Sequence, residues 1–225
     1  MVRTTTTPRS IHFELDDALD SDRVLAIRRT AEGIIGKYDR GYLRRYVAED
    51  HPPFELLAAL ADSGLLGIGL AEELGGSGGG VTEEVALIEV LALAGLTIPY
   101  FQLPAFTRRI IAEFGTAEQQ AAYLPRTLSG RDFSCFALTE ANSGTNAFAM
   151  RTKAERVAGG WRVSGEKIYI SGIDRAAQML LAARTGTDDR GRAEISPPGG
   201  DISLSRRTAG RWHCLDEDAD LGDPS

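Results

Sequence analysis

Residues Cys135–Asn146 read CFALTEANSGTN, an apolar run that stops abruptly in a threonine, a glutamate and a series of small polar residues. The apolar part is typical of a strand, and the residues after it are typical of a turn. Backbone N–H groups in such a turn can approach an anionic group closely, and a serine or threonine hydroxyl adds a donor. A phosphate-bearing ligand is therefore chemically reasonable, although a turn without a ligand is the simpler interpretation of the composition alone.

A second informative stretch, GEKIYISG (Gly165–Gly172), follows about twenty residues later. Its alternation predicts a strand in which Tyr169 and Ser171 lie on one face, because side chains two residues apart point to the same side. Tyr169 can stack on a ring system, and Ser171 can donate a hydrogen bond. The alternative is an ordinary amphipathic strand with Glu166 and Lys167 in solvent.

The chain changes from helical to strand-like patterns near residue 130. Apolar spacing predicts helices before that point, at about 22–46, 54–62, 82–94, 104–114 and 117–124. Thr116 fits as the N-cap of the last helix. After Asp132, short apolar segments are separated by glycines, and the pair Gly159-Gly160 predicts a hairpin in which Trp161 packs. Helices followed by strands predict an α+β fold.

The bulk composition excludes several classes of protein. The 225 residues carry a net charge of −7, and no cluster of lysine and arginine favours nucleic acid. No run approaches the ~18 apolar residues of a membrane span, and the N-terminus has no apolar signal core. The two cysteines, Cys135 and Cys214, favour a reducing cytoplasm, and no spacing of histidine and cysteine indicates a metal site. We therefore expect a cytoplasmic protein without a metal.

A glycine-rich run, GGSGGG (Gly75–Gly80), has the composition of a phosphate-binding loop. A P-loop needs lysine and then serine or threonine directly after its last glycine, whereas Val81 and Thr82 follow here. A dinucleotide fingerprint should follow a strand, but a helical region precedes this run. A flexible connection between helices is the favoured interpretation.

Three segments together resemble the acyl-CoA dehydrogenase family. They are the Thr-Glu-x-x-Ser-Gly-Thr pattern of residues 139–145, the segment at 165–172, and the stretch LLGIGLAEELGG (Leu65–Gly76) between early helices. The first pattern is long and position-specific, and is therefore harder to meet by chance than a lone glycine motif. The resemblance implies an N-terminal all-α helical domain at 20–131, after a lead at 1–19, and a partial antiparallel β-barrel domain at 132–196.

The resemblance also implies a site for FAD. On the matching positions, the flavin would be contacted by Phe136, Leu138, Thr139, Gly144, Thr145, Tyr169, Ile170 and Ser171. Thr145 would also lie near the acyl-CoA substrate, and the Ser171 hydroxyl would lie near flavin N5. The family usually has proline at Ala141 and aspartate at Asn146, so the charge that the aspartate brings is absent here.

By this resemblance the protein would oxidise an acyl-CoA thioester to trans-2-enoyl-CoA and pass electrons to an electron-transferring flavoprotein. Family members usually form homotetramers. Their catalytic base is a glutamate in a C-terminal helical bundle, so no catalytic residue is expected in this chain, Glu140 included. Residues 197–225, which begin with a Pro-Pro-Gly-Gly run, match nothing in the family and are expected to be a disordered tail. The expectation is a truncated chain that holds the flavin-facing half of the site.

Two other functions fit the same residues. A flavin-dependent monooxygenase can be built on the same fold. A non-catalytic fragment or partner subunit would explain the missing base. Bound FAD that bleaches with an acyl-CoA would indicate the dehydrogenase, whereas a colourless protein, or a yellow one that does not bleach, would indicate the non-catalytic fragment.

Overall fold

The computed structural model describes residues 21–38, 40–48, 53–96, 99–158, 160–187, 189, 193–195, 204–208 and 211–214. The lead at 1–19 lies outside these residues. The helices of the described part are α1 (Asp22–Ile35), α2 (Arg40–Ala48), α3 (Phe54–Asp62), α4 (Val81–Leu93), α5 (Pro99–Phe114) and α6 (Ala117–Leu128). Its strands are β1 (Ser134–Ala137), β2 (Lys153–Val157), β3 (Gly160–Ser164), β4 (Gln178–Leu181), β5 (Gly186–Thr187), β6 (Ala193–Glu194), β7 (Leu204–Thr208) and β8 (Arg211–Cys214).

The helices pack in two groups. The first core joins α1, α3 and α4, where Val24, Leu60 and Leu87 are buried together. In α1 the buried positions recur every three or four residues, which is the spacing of one helical face. A second core sets α5 and α6 against the sheet through Ile111, Leu124 and Leu180. Among the described residues, no helix combines the length and apolar character that crossing a membrane requires.

The described strands form three sheets. The largest has the order β1-β4-β7-β8, while β2–β3 and β5–β6 are separate antiparallel pairs. β2 and β3 pair antiparallel as the predicted hairpin requires, with Val157 opposite Gly160, whereas Gly159 lies outside the described residues. β1 and β4 run parallel, with Ser134 opposite Gln178 and Ala137 opposite Leu181. A parallel pair needs a long crossover, which residues 138–177 supply. The α+β class is confirmed, with a partial β domain in which this one pair departs from the expected antiparallel arrangement.

The helix predicted over 22–46 is wrong as a single element, because α1 ends at Ile35 and α2 begins at Arg40. The amides of Lys37 and Tyr38 donate hydrogen bonds to carbonyls three residues back, which tightens and ends the last turn of α1.

α5 begins five residues before the expected start and contains Pro104. Its first turn is held by packing, since the centroids of the Tyr100 and Phe133 rings lie 4.7 Å apart and the rings meet edge to face. The N-cap predicted at Thr116 is confirmed, and Gln119 completes a capping box with it.

The region expected to be a disordered tail contains two strands. β7 pairs antiparallel with β4, with Leu204 opposite Leu180, and β8 pairs with β7. Any strand edge offers backbone donors and acceptors, and pairing with it does not require an alternating apolar pattern. The absence of such a pattern therefore misled the prediction over 204–208 and 211–214. The other residues of 197–225 lie outside the described part.

Candidate functional site

The turn after β1 is built as the sequence suggests. The amide of Glu140 donates to the Ser143 carbonyl at 2.9 Å, and the amide of Ser143 donates back at 3.1 Å. The Ser143 hydroxyl then donates to the Asn146 carbonyl at 2.8 Å. This closed turn leaves Gly144 and Thr145 exposed at its tip.

Residues 165–172 do not form the predicted strand. Tyr169 has a φ of +58° and Gly172 a φ of +71°, both in the left-handed region that breaks an extended chain. Gly172 is required there because a Cβ would also overlap the Phe133 ring. Tyr169 and Ser171 therefore do not share the face of a strand, although both side chains are exposed.

The two segments nevertheless meet. The Ile168 amide donates to the Thr139 carbonyl at 2.9 Å, and Lys167 Nζ donates to the Leu138 carbonyl at 2.9 Å. Ile170 then packs against a buried cluster in and around β1 and β4 that includes Phe133, Cys135, Ala137 and Met179. The end of β1 and the Tyr169 segment are thus neighbours, which brings Leu138, Thr139, Tyr169 and Ile170 into one region.

A buried ion pair lies beneath this junction. Lys167 Nζ is 2.9 Å from Glu140 Oε1, and the two side chains are 8% and 3% exposed. The carboxylate also accepts hydrogen bonds from the amides of Arg151, at 2.6 Å, and Thr152, at 2.9 Å. Burial alone would raise the pKa of Glu140, but hydrogen bonds from Thr152, Arg151 and Lys167 outweigh it and lower the pKa to about 2. Glu140 is therefore a fixed anion.

The surface around the junction carries hydrogen-bonding groups that the described protein leaves unused. The hydroxyls of Thr139, Thr145, Tyr169 and Ser171 make no hydrogen bond to any described residue. The Tyr169 side chain is 89% exposed. These groups can serve a ligand that combines an aromatic ring with hydrogen-bond acceptors.

Gly144 leaves open space for such a ligand, whereas Phe136 is partly occupied by packing in the core. A Cβ at Gly144 would meet nothing within 4 Å, so local packing does not require glycine there and a ligand has room to approach. Phe136 is half-buried, and its ring lies 5.1 Å from the Phe106 ring, edge to face. Phe136 therefore lies partly within the core between α5 and the sheet. The exposed hydroxyls, the Tyr169 ring and the open space at Gly144 have the chemistry that a ligand such as FAD requires, since FAD joins a flat ring system to phosphates.

Sequence reasoning missed Lys167, which it considered only under the alternative of an ordinary amphipathic strand, in solvent with Glu166. Glu166 is exposed as expected, whereas Lys167 is buried against Glu140. No local signal in the sequence marks this burial, because the partner Glu140 lies 27 residues away. Trp161 lies on the β2–β3 hairpin as expected, with the Arg156 guanidinium 5.2 Å from its ring centre.

The glycine-rich run of residues 75–80 is a connection between helices and lies apart from these segments in the sequence. It is more ordered than predicted, because Ser77 donates through its hydroxyl to the Gly64 carbonyl at 2.7 Å and through its amide to the Gly67 carbonyl at 2.9 Å. The Gly78 amide donates to the Leu70 carbonyl at 2.7 Å. These bonds bind the run to the preceding turn.

Known proteins share both the sequence and the fold of this chain. Residues 21–131 match the family model of the acyl-CoA dehydrogenase N-terminal domain. The acyl-CoA dehydrogenase FadE12 of Mycobacterium tuberculosis is 33% identical over 168 residues, which are 74% of this chain and 43% of FadE12. The chain belongs to the acyl-CoA dehydrogenase family. It spans less than half the length of that relative.

Solved structures of acyl-CoA dehydrogenases carry the same fold. A putative acyl-CoA dehydrogenase from Mycobacterium smegmatis superposes with a TM-score of 0.70 at 26% identity, covering 84% of this chain and 48% of that one. A glutaryl-CoA dehydrogenase from the same organism, in complex with FADH2, superposes with a TM-score of 0.67 at 25% identity, covering 77% and 45%. The chain therefore has the acyl-CoA dehydrogenase fold, with a partial β domain.

Proposed function

We propose that this chain is the flavin-facing part of an FAD-dependent acyl-CoA dehydrogenase. The observation that carries the proposal is the junction at which Lys167 and Ile168 hold the carbonyls of Leu138 and Thr139. It gathers an exposed aromatic ring and unused hydroxyls beside the end of a strand. The similarity to a glutaryl-CoA dehydrogenase in complex with FADH2 supports the assignment of this junction to FAD.

The proposed FAD contacts are divided by chemistry. Leu138, Ile170 and Phe136 supply apolar surface beside the ring system, and the exposed Tyr169 ring can stack against it. Thr139 and Ser171 offer hydroxyl donors, while Gly144 and Thr145 receive the phosphates, with Thr145 also near the acyl-CoA. These residues would orient FAD, which would supply the acceptor for the hydride from the substrate's β-carbon.

The proposed reaction converts an acyl-CoA thioester to trans-2-enoyl-CoA, with an electron-transferring flavoprotein as electron acceptor and a homo-oligomer as the working form. It needs a carboxylate to remove the α-proton. Glu140 is excluded from that task, because its oxygens are occupied by two amides and Lys167 and its pKa of about 2 makes it a weak base. Glu140 is therefore not the base, and the proposal leaves that task to another carboxylate.

The proposal is tested by FAD retention. The protein is incubated with FAD, passed through a gel-filtration column, and scanned for flavin absorbance. Thr139→Ala is compared with Thr82→Ala, a control that removes an exposed hydroxyl at the start of α4. We expect wild type and Thr82→Ala to retain FAD and Thr139→Ala to retain less. If wild type retains none, the FAD site is wrong.

The proposed dehydrogenation is then tested by adding an acyl-CoA to the yellow protein and following the flavin absorbance. Bleaching supports dehydrogenation by this chain. A yellow protein that does not bleach supports FAD binding together with a proton-abstracting carboxylate that this chain does not supply. Mixing it with an acyl-CoA dehydrogenase chain that carries that carboxylate separates a missing base from a wrong reaction.

A further inference from the structure

The carboxylate of Glu140 connects three separate stretches of chain. It lies directly after Thr139, accepts hydrogen bonds from the amides of Arg151 and Thr152, and pairs with Lys167. These contacts link the turn after β1, the start of β2 and the segment that carries Tyr169. Bonds from two amides and one ammonium satisfy a carboxylate that is 3% exposed.

Lys167 and Ile168 hold three consecutive residues of the first segment. Lys167 Nζ bonds to the Leu138 carbonyl and the Glu140 carboxylate, each at 2.9 Å, and the Ile168 amide bonds to the Thr139 carbonyl at 2.9 Å. Thr139 is therefore held through its own carbonyl and through the contacts of both its neighbours, Leu138 and Glu140. Its hydroxyl is left without a partner among the described residues.

Tyr169 lies between two anchors. Ile168 before it is bonded to Thr139, and Ile170 after it packs against the cluster around Phe133. Between them Tyr169 adopts a φ of +58°, which is unfavourable for any residue other than glycine. Such a conformation persists where the surrounding structure enforces it, and it commonly occurs at ligand sites. The anchors turn the ring outward, where it is 89% exposed.

We propose that Glu140 and Lys167 are positioning residues that fix Thr139 and Tyr169 relative to each other for the flavin. The pair touches neither FAD nor substrate. The pair holds the two segments in a fixed relative position, so that the Thr139 hydroxyl and the Tyr169 ring can contact the same ligand. This inference rests on the proposed function, since it assigns the ligand to FAD.

The test uses Glu140→Gln and Lys167→Met in the full chain. The matched control is Glu155→Gln on the exposed β2–β3 hairpin. Like Glu140, Glu155 forms ion pairs through its carboxylate, with Lys153 at 2.6 Å and with Arg162 at 2.8 Å. We expect the Kd for FAD to rise about tenfold or more in the two variants and to stay unchanged in the control. Wild type must bind FAD for this comparison, so its failure to bind would contradict the proposed function rather than the positioning role.

A spectroscopic measurement separates positioning from stability. At saturating FAD, the visible circular dichroism of the bound flavin reports its surroundings. We expect it to change in Glu140→Gln and Lys167→Met and to match wild type in Glu155→Gln. Variants that lose stability but bind FAD with the wild-type affinity and spectrum would overturn the positioning role while leaving the proposed function intact.

Hydrogen–deuterium exchange keeps the inference testable without FAD. In both variants we expect the Ile168 amide to exchange faster, because the two segments that carry this amide and its acceptor, the Thr139 carbonyl, are no longer held together by the ion pair. In Glu140→Gln the Arg151 and Thr152 amides should also exchange faster, because the carboxylate that accepts from both is replaced, while amides in α1 and α3 keep their protection in both variants. No change at these amides would overturn the inference. Equal loss of protection in the helices would also overturn it, because the pair would then support the whole fold rather than two segments.

Discussion

Lys167 and Glu140 form a buried ion pair across 27 residues of sequence. Lys167 also donates to the Leu138 carbonyl, and Glu140 also accepts a hydrogen bond from the Thr152 amide. Removing one member leaves the other charge buried without its counter-charge. We expect Lys167→Met to lower the free energy of unfolding by about 3–5 kcal/mol. Exposed ion pairs contribute about 1 kcal/mol or less, so Lys153→Met on the hairpin serves as the control. Urea denaturation followed by far-ultraviolet circular dichroism measures both, and equal effects would contradict the account.

Glu140 also predicts how stability depends on pH. Its folded-state pKa is about 2, below its ordinary value of 4.5, so its contribution is present above pH 4.5 and is lost as pH falls from 4.5 towards 2. The loss is on the order of 2–3 kcal/mol. Urea titrations at about pH 7, 5 and 3 should show this fall in the free energy of unfolding of the wild type. In Glu140→Gln the free energy of unfolding should depend less on pH. A variant that keeps the wild-type pH dependence would show that Glu140 is not the responsible group.

Tyr169→Gly should separate stability from flavin binding. Glycine adopts a φ of +58° without strain, and the ring that it removes is 89% exposed. Relief of about 1–2 kcal/mol of strain exceeds the added entropy of the unfolded chain, so we expect the free energy of unfolding to rise by about 0.5 kcal/mol. FAD affinity should fall because the stacking ring is gone. A destabilised variant that binds FAD normally would contradict both expectations.

Two glycines near the site should respond in opposite ways. Gly172→Ala forces a Cβ into the Phe133 ring at a φ of +71°, and we expect it to destabilise the protein by about 2–3 kcal/mol. Gly144→Ala meets nothing within 4 Å, and should leave thermal stability unchanged while weakening FAD binding. Thermal melts and FAD titrations distinguish the two. A strongly destabilised Gly144→Ala would show that this glycine serves packing.

Cys135 should be chemically inert in the folded protein. It is fully buried in β1, and burial raises the pKa of its thiol to about 12. In a Cys214→Ser background Cys135 is the sole thiol, since the chain has two cysteines. We expect no reaction with a thiol reagent at neutral pH until the protein is unfolded by urea. Prompt reaction under native conditions would contradict the burial of β1.

Local signals in the sequence predicted the parts of the fold that local interactions determine. The Thr116 cap depends on a hydroxyl and an amide three residues apart, and the turn after Cys135 depends on the small residues within it. These features can be predicted because the residues that form them are adjacent. Similarity to a known family then supplied the candidate site, which neither composition nor spacing specified.

Long-range contacts determined what the sequence concealed. The alternation of residues 165–172 matched a strand, but anchoring of Lys167 on Glu140 and of Ile170 on the Phe133 cluster bends the segment away from extended geometry. β7 likewise depends on the edge of β4, with Leu204 opposite Leu180. No window of neighbouring residues contains such partners, so pattern analysis could not find them.

The central claim is that FAD binds at the junction of the two segments. Hydrogen–deuterium exchange with and without FAD tests it most directly. We expect FAD to slow exchange in peptides that contain residues 138–145 and 167–171 and to leave α1 and α3 unchanged. Protection confined to other parts of the chain, or no change at the junction at saturating FAD, would contradict the claim.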